Sequence, residues 1–223
     1  IIAHIVKVSD YRVAFLYTGI GQGLLIVCAA QFLRNPEPGE VAAGPVTTQK
    51  KVRLHNEEFS AGQMLRTPHF YIMYFMMLVM GIGGLMVTAN INPLSSSYLI
   101  GAAALTVALS MNPIANGASR LFWGWTSDRL GRERSMVIAF LIQSAALLSV
   151  PSLAHGSDTA FVVCLALVFF SWGEIYVLFP SLAADLFGSR NASTNYGFLY
   201  STKGVAAIVG GGFTGLTTAH YLQ

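Results

Sequence analysis

Long apolar stretches dominate the chain, and charged residues collect between them. A helix needs about 20 apolar residues to cross a hydrocarbon core of about 30 Å. Six stretches meet or approach that length: Val13–Phe32, Phe70–Asn90, Leu99–Trp125, Met136–Leu153, Thr159–Leu182 and Ser193–Thr218. Of the 23 charged residues, only Arg120, Glu174 and Lys203 fall inside them. Hydrocarbon imposes such segregation on ionised groups. The pattern predicts an all-α, polytopic membrane protein with six transmembrane helices.

The connectors alternate in charge. Nine basic residues lie in 33–69, 126–135 and 183–192, whereas the opposite side holds only Lys7 and Arg12. The positive-inside rule therefore assigns the first three connectors to the cytoplasm. Residues 34–69 are the one long connector. Pro36, Pro38, Gly39, Gly44 and Pro45 make its first half a flexible linker,. Its second half, Glu57–Arg66, is expected to form a short surface helix. The predicted division is a last helix of one bundle (1–33), a cytoplasmic inter-bundle linker (34–69) and a second bundle lacking its final helix (70–223).

Composition narrows the class. The chain is 54% hydrophobic and 10% charged, against about 25% charged in soluble domains. A formal charge of +3 is too modest for a nucleic-acid partner,. Cys28 and Cys164 sit in apolar runs and read as small buried residues,. There is no P-loop, no H-E-x-x-H and no metal-spaced cysteine pair, and all five histidines lie outside the spans,. Neither an enzyme nor a metal or cofactor is expected. Gly19, Gly21 and Gly23 mimic a dinucleotide spacing but lie within a span, where close helix packing explains them,. The sequon Asn191-Ala192-Ser193 falls on the cytoplasmic side and is disregarded. The chain starts at Ile1 with no signal-peptide pattern, which predicts a fragment,.

The intramembrane charges are the first candidates for function. Lys203 lies about 4 Å from the midpoint of its span, too deep for easy snorkelling. Helical spacing gives it Tyr196, Tyr200, Ala207 and Gly210 as neighbours. It reads as a cation awaiting an anion, or as half of a structural ion pair. Arg120 lies about 12 Å from its midpoint, where snorkelling is an alternative. Yet Asn112, Asn116 and Arg120 recur every four residues as a polar stripe, and a guanidinium suits bidentate carboxylate recognition. Trp172 and Tyr176 share a helix face and either wall a polar cavity or simply pack. Glu174 points about 200° away from both. That orientation fits an ion pair with a neighbouring helix, with proton coupling as the other reading.

Residues 124–134, Gly-Trp-Thr-Ser-Asp-Arg-Leu-Gly-Arg-Glu-Arg, resemble the G-x-x-x-D-R-x-G-R-R signature of the major facilitator superfamily. Gly124 permits close helix approach, Asp128 accepts hydrogen bonds near a helix end, and Gly131 supplies a left-handed turn. Arg129 and Arg132 hold neighbouring helices, with Asp185 pairing with one of them as a cytoplasmic gate. Glu133 departs from the family's basic residue. The place of this motif and of the long linker implies a major facilitator-type bundle represented here by helices six to eleven.

A sharper resemblance lies in Asn112-Pro113, in the run Arg120-Leu-Phe-Trp-Gly-Trp-Thr-Ser-Asp-Arg, in Ser171-Trp-Gly-Glu-Ile-Tyr-Val-Leu-Phe-Pro180 and in Tyr200-Ser-Thr-Lys-Gly204. With Met64-Leu-Arg-Thr-Pro-His-Phe-Tyr71, these are similar to the oxalate/formate antiporter family over nearly the whole chain. The resemblance implies that Arg120 and Lys203 bind a dicarboxylate and that Trp172 and Tyr176 line the cavity. Tyr200 and Asn116 join them as candidate substrate contacts. The expected function is secondary transport of small carboxylates, by oxalate/formate-type exchange. Two alternatives remain: a proton-coupled monocarboxylate transporter, and a membrane carboxylate receptor that does not transport. Asn116 disfavours the first, because it stands where such transporters often carry an aspartate. Expected partners are small carboxylate anions, the lipid bilayer and the missing N-terminal helices of the same protein. The expected location is an inner or plasma membrane.

Overall fold

The computed structural model describes residues 11–32 and 58–221. The first half of the long linker, with its prolines and glycines, lies outside them. The chain forms two compact units, 1–48 and 49–223. In the first, α1 (Tyr11–Ala30) covers the expected first span. Cys28, read as buried, is exposed there.

The second unit begins with a single capped turn, α2 (Ala61–Met64). Ser60 and Gln63 form a capping box, which satisfies orphan amides at the helix start. Then come α3 (Pro68–Ser97), α4 (Ala102–Leu130) and α5 (Arg132–Leu153). Next is α6 (Asp158–Trp172), which passes through a 3-10 turn (Gly173–Tyr176) into α7 (Leu178–Phe187). Last are α8 (Ala192–Tyr200) and α9 (Thr202–Tyr221). Thr67 and Pro68 start α3, the threonine accepting from the Phe70 amide at 3.4 Å. Proline at the first helical position loses no intrahelical bond.

All six predicted stretches are helical. Among the described residues, three runs are long and apolar enough to cross a membrane: Pro68–Ser97, Arg132–Leu153 and Asp158–Phe187. Helix α4, at 29 residues, is within one residue of the longest of these, but Asn112, Asn116 and Arg120 dilute its apolar character. Two expected continuous spans are interrupted. The fifth carries the 3-10 turn, and the sixth breaks at Ser201 between α8 and α9.

Helix α9 packs along α3, while α6 packs against α4 and α5. Small residues set the first contact. A Cβ on Gly81 would lie 3.2 Å from the Ala206 Cβ, and one on Gly210 would lie 3.7 Å from the Met86 amide nitrogen. Without a hydrophobic drive between helices in lipid, such close approach supplies the dispersion energy of association. Across the bundle, the Gln143 side chain donates to the Met80 carbonyl at 3.1 Å.

The connectors gather at opposite ends, as the charge alternation requires. At one end the Gly156 amide donates to the Tyr98 carbonyl at 2.9 Å, and the Gly101 amide donates to Asp158 at 2.9 Å. At the other end, Phe59 is tied to the α7–α8 corner. Its amide donates to the Phe187 carbonyl at 3.0 Å. Its own carbonyl accepts from the Asn191 and Asn195 side chains at 3.0 and 3.1 Å. The Glu58 carboxylate accepts from the Arg190 amide at 2.8 Å. The end of the linker is thus part of the second unit.

Candidate functional site

The site forms where α4 faces the two interrupted helices. The 3-10 turn presents Tyr176, and the break at Ser201 sets Tyr200 and Lys203 opposite it. Lys203 Nζ donates to the Tyr176 hydroxyl at 2.7 Å and to the Tyr200 hydroxyl at 3.3 Å. It also lies 4.9 Å from the Tyr176 ring centre, 5.5 Å from that of Tyr200 and 5.8 Å from that of Trp172. These are cation–π distances. Arg120 approaches from α4, its guanidinium carbon 4.5 Å from the same Tyr176 ring centre. Asn116, one turn earlier, accepts from Arg120 Nη2 at 3.2 Å and orients it.

The structure therefore brings together all six residues singled out for substrate contact: Arg120, Lys203, Trp172, Tyr176, Tyr200 and Asn116. Among the described residues neither cation has a carboxylate within ion-pair distance. The aromatic rings pack on one another, Trp172 edge-on to Tyr176 at 6.1 Å and Tyr196 tilted against Tyr200 at 5.6 Å. Such a wall supplies polarisable surface and hydroxyl donors, and leaves two positive charges for an anion.

Two glycines that the sequence reading did not select shape this wall. A Cβ on Gly84 of α3 would overlap the Trp172 indole, which is buried. A Cβ on Gly173 would overlap the Ser119 hydroxyl and lie 2.9 Å from the Asn116 carbonyl of α4. Both sit in apolar helical runs where nothing local marks them. Among the described residues Glu174 has no ion-pair partner of the kind expected. Its side chain is fully buried, and neither oxygen has a hydrogen-bond partner among the described residues. The helix breaks into a 3-10 turn here, so the face expected from uniform α-helical rotation does not meet a cation.

The second cluster sits at the end holding 126–135. Arg132 makes an ion pair with Asp185 of α7 and reaches the Ser127 hydroxyl at 3.5 Å. Arg129 instead lies over the Trp125 ring, 4.1 Å from its centre. A Cβ on Gly124 would make an ordinary contact with Val177, at 3.6 Å. Asp128 lies in the last turn of α4. Gly131 joins α4 to α5 with φ 91° and ψ 157°. This is not the left-handed helical conformation that was expected. It is a more extended region open essentially to glycine alone. Glu133 falls in the first turn of α5, where an acid complements the helix dipole.

Similarity to known proteins agrees with this geometry. The profile of the Major Facilitator Superfamily matches residues 1–211. The oxalate:formate antiporter of Oxalobacter formigenes is 37% identical over 95% of this chain and 49% of its own length. This bears out the resemblance to the oxalate/formate antiporter family. An uncharacterized MFS-type transporter of Escherichia coli K12 is 28% identical over 83% of this chain and 44% of its own length. Apicoplast pyruvate carrier 2 of Toxoplasma gondii is 33% identical over 38% of this chain. The chain spans about half the length of the first two relatives, at 49% and 44%. With a family match over nearly all its residues and a helical bundle to fit it, the chain belongs to the major facilitator superfamily of membrane transporters and is not an enzyme.

Proposed function

We propose that this chain supplies most of the second bundle of a carboxylate exchanger working by alternating access, with oxalate and formate as its exchanged anions. The observation that carries this reading is the convergence of Arg120 and Lys203 on one side chain, Tyr176. Two cations that have no carboxylate partner among the described residues suit a compact dianion. Binding it neutralises charge that is otherwise costly in a low-dielectric cavity. The same cost hinders reorientation of the empty carrier and favours obligatory exchange. The relative that transports oxalate and formate by name supports this choice of substrate.

The reading places residues 1–33 in the preceding bundle and 34–69 mainly in the linker. The Arg132–Asp185 pair acts as a cytoplasmic gate that opens when the bundles rock about the central site. An inner or plasma membrane is the proposed location. The test is oxalate counterflow in proteoliposomes, using the complete gene extended at both ends. Unlabelled oxalate inside should drive accumulation of labelled oxalate, with the signal lost in both Arg120→Ala and Lys203→Ala. No accumulation by correctly inserted wild type removes oxalate from the reading. Binding without exchange would instead identify a receptor.

A further inference from the structure

The last regular backbone bond of α6 runs from the Gly173 amide to the Phe169 carbonyl. The next carbonyl, that of Phe170, is one of the four that a helix end leaves without an intrahelical amide. In a membrane interior no water is at hand to satisfy it. The Trp123 indole N–H of α4 donates to it at 3.1 Å. Trp123 is fully buried, and its ring lies tilted against Phe170 with centres 6.1 Å apart. The other interruption, at Ser201, is held differently. The Ser201 and Thr202 hydroxyls donate to the Phe198 and Leu199 carbonyls, each at 2.7 Å. That break caps itself, whereas the 3-10 turn draws a donor from a neighbouring helix.

The same face of α4 steadies the turn again. Ser119, one helical turn before Trp123, is buried, and its hydroxyl donates to the Asn116 carbonyl at 2.8 Å. Gly173 packs onto this pair so closely that no Cβ fits. Asn116, Ser119 and Trp123 thus form one stripe along the turn. The helix that carries Arg120 therefore also holds the turn that carries Tyr176.

The form of the turn fixes where Tyr176 points. A 3-10 helix advances about 120° per residue and an α-helix about 100°. Over the four residues Gly173–Tyr176 the difference comes to roughly 80° about the axis, with about 2 Å of added rise. A continuous α-helix would give the Phe170 carbonyl the Glu174 amide and swing the phenol off Arg120 and Lys203.

We propose that Trp123 is a positioning residue of the anion site: by taking the Phe170 carbonyl, its indole N–H keeps Gly173–Tyr176 in the 3-10 form that sets the Tyr176 phenol within reach of both Arg120 and Lys203. This rests on the carboxylate reading above. Trp123 acts on the anion through Tyr176.

The test uses the full-length protein with Trp123 replaced by benzothienylalanine, which keeps the shape of the ring and puts sulfur where the N–H stood. Trp123→Phe would mix the loss of the donor with a cavity. Oxalate affinity should fall roughly three- to tenfold, the reach of one hydrogen bond. In a Tyr176→Phe background the same replacement should cost less, because the Lys203 hydrogen bond that depends on the placement is already gone. Unaltered affinity, or an equal loss in both backgrounds, overturns the proposal. A second readout needs no ligand. Fluorotyrosine placed at position 176 should give a fluorine NMR signal that shifts when the indole N–H is removed. A signal that stays in place overturns the positioning role. If wild type binds no oxalate, the substrate assignment fails on its own, and the fluorine signal still decides whether Trp123 holds the turn.

Discussion

The Lys203 ammonium donates to the Tyr176 hydroxyl at 2.7 Å, although the two residues lie 27 positions apart on different helices. Arg120 lies over the same ring, so one phenol spans both cations. Tyr176→Phe keeps the ring under Arg120 and removes the Lys203 hydrogen bond. A hydrogen bond to a charged group contributes about 1.5–3 kcal/mol. Lys203 keeps Tyr200 at 3.3 Å, so the lower end applies. Oxalate affinity should fall roughly tenfold, read by equilibrium binding. Unchanged affinity would mean that Tyr176 does not orient Lys203.

Gly84 leaves room for the Trp172 indole. Gly84→Ala forces the ring or α3 to move, and overpacking of this kind costs about 1–3 kcal/mol. The melting temperature and exchange rate should both drop. Adding Trp172→Phe should recover part of the stability, because the smaller ring relieves the overlap. Strictly additive losses would show that the two residues do not press on one another.

The Arg132–Asp185 pair is about 30% exposed on both sides, so its contribution to stability should be at most about 1 kcal/mol. Its effect should appear in kinetics instead. Asp185→Arg should slow exchange sharply with little change in melting temperature. Combining it with Arg132→Glu should restore part of the rate. A large fall in melting temperature from Asp185→Asn would place the pair in the structure rather than in the gate.

Gly131 carries φ 91° between α4 and α5. Gly131→Ala should cost about 1–3 kcal/mol from backbone strain alone. Nothing lies within 4 Å of the added methyl, so crowding does not contribute. Gly124→Ala, at an ordinary helical contact, should be nearly neutral by the same thermal measurement.

Asn195 is fully buried and donates to the Phe59 carbonyl at 3.1 Å. Asn195→Ala removes that hydrogen bond while Asn191 still donates to the carbonyl, and should cost about 0.5–1.5 kcal/mol. Proteolysis near residues 58–66 should become faster. Unaltered cleavage would show that the linker end is held by Phe187 and Met64 instead.

Much of this was legible in the sequence. Span positions follow from a local rule, since each helix must present about 20 apolar residues to hydrocarbon. The six stretches are therefore all helical, though the helices of the second and third run on past the expected ends and the last two are interrupted. Arg120 and Lys203 stood out because ionised groups are rare in such runs. The loop 124–134 gave the family because its chemistry is contiguous.

Other features depend on which surfaces meet, and no local pattern encodes that. Choosing Arg132 over Arg129 as the partner of Asp185 needed the α5–α7 arrangement. So did the surroundings of Glu174: uniform helical rotation turned it toward an expected partner, whereas the 3-10 turn buries it with none among the described residues. The break at Ser201 and the close approaches at Gly84 and Gly173 arise from packing between residues far apart in sequence. The chain's sequence thus determined its helices, its alternating sides and its charged candidates, because the bilayer acts on each segment separately. Only the tertiary structure decided which side chains share a site, because that is settled by the shapes of helices pressed together.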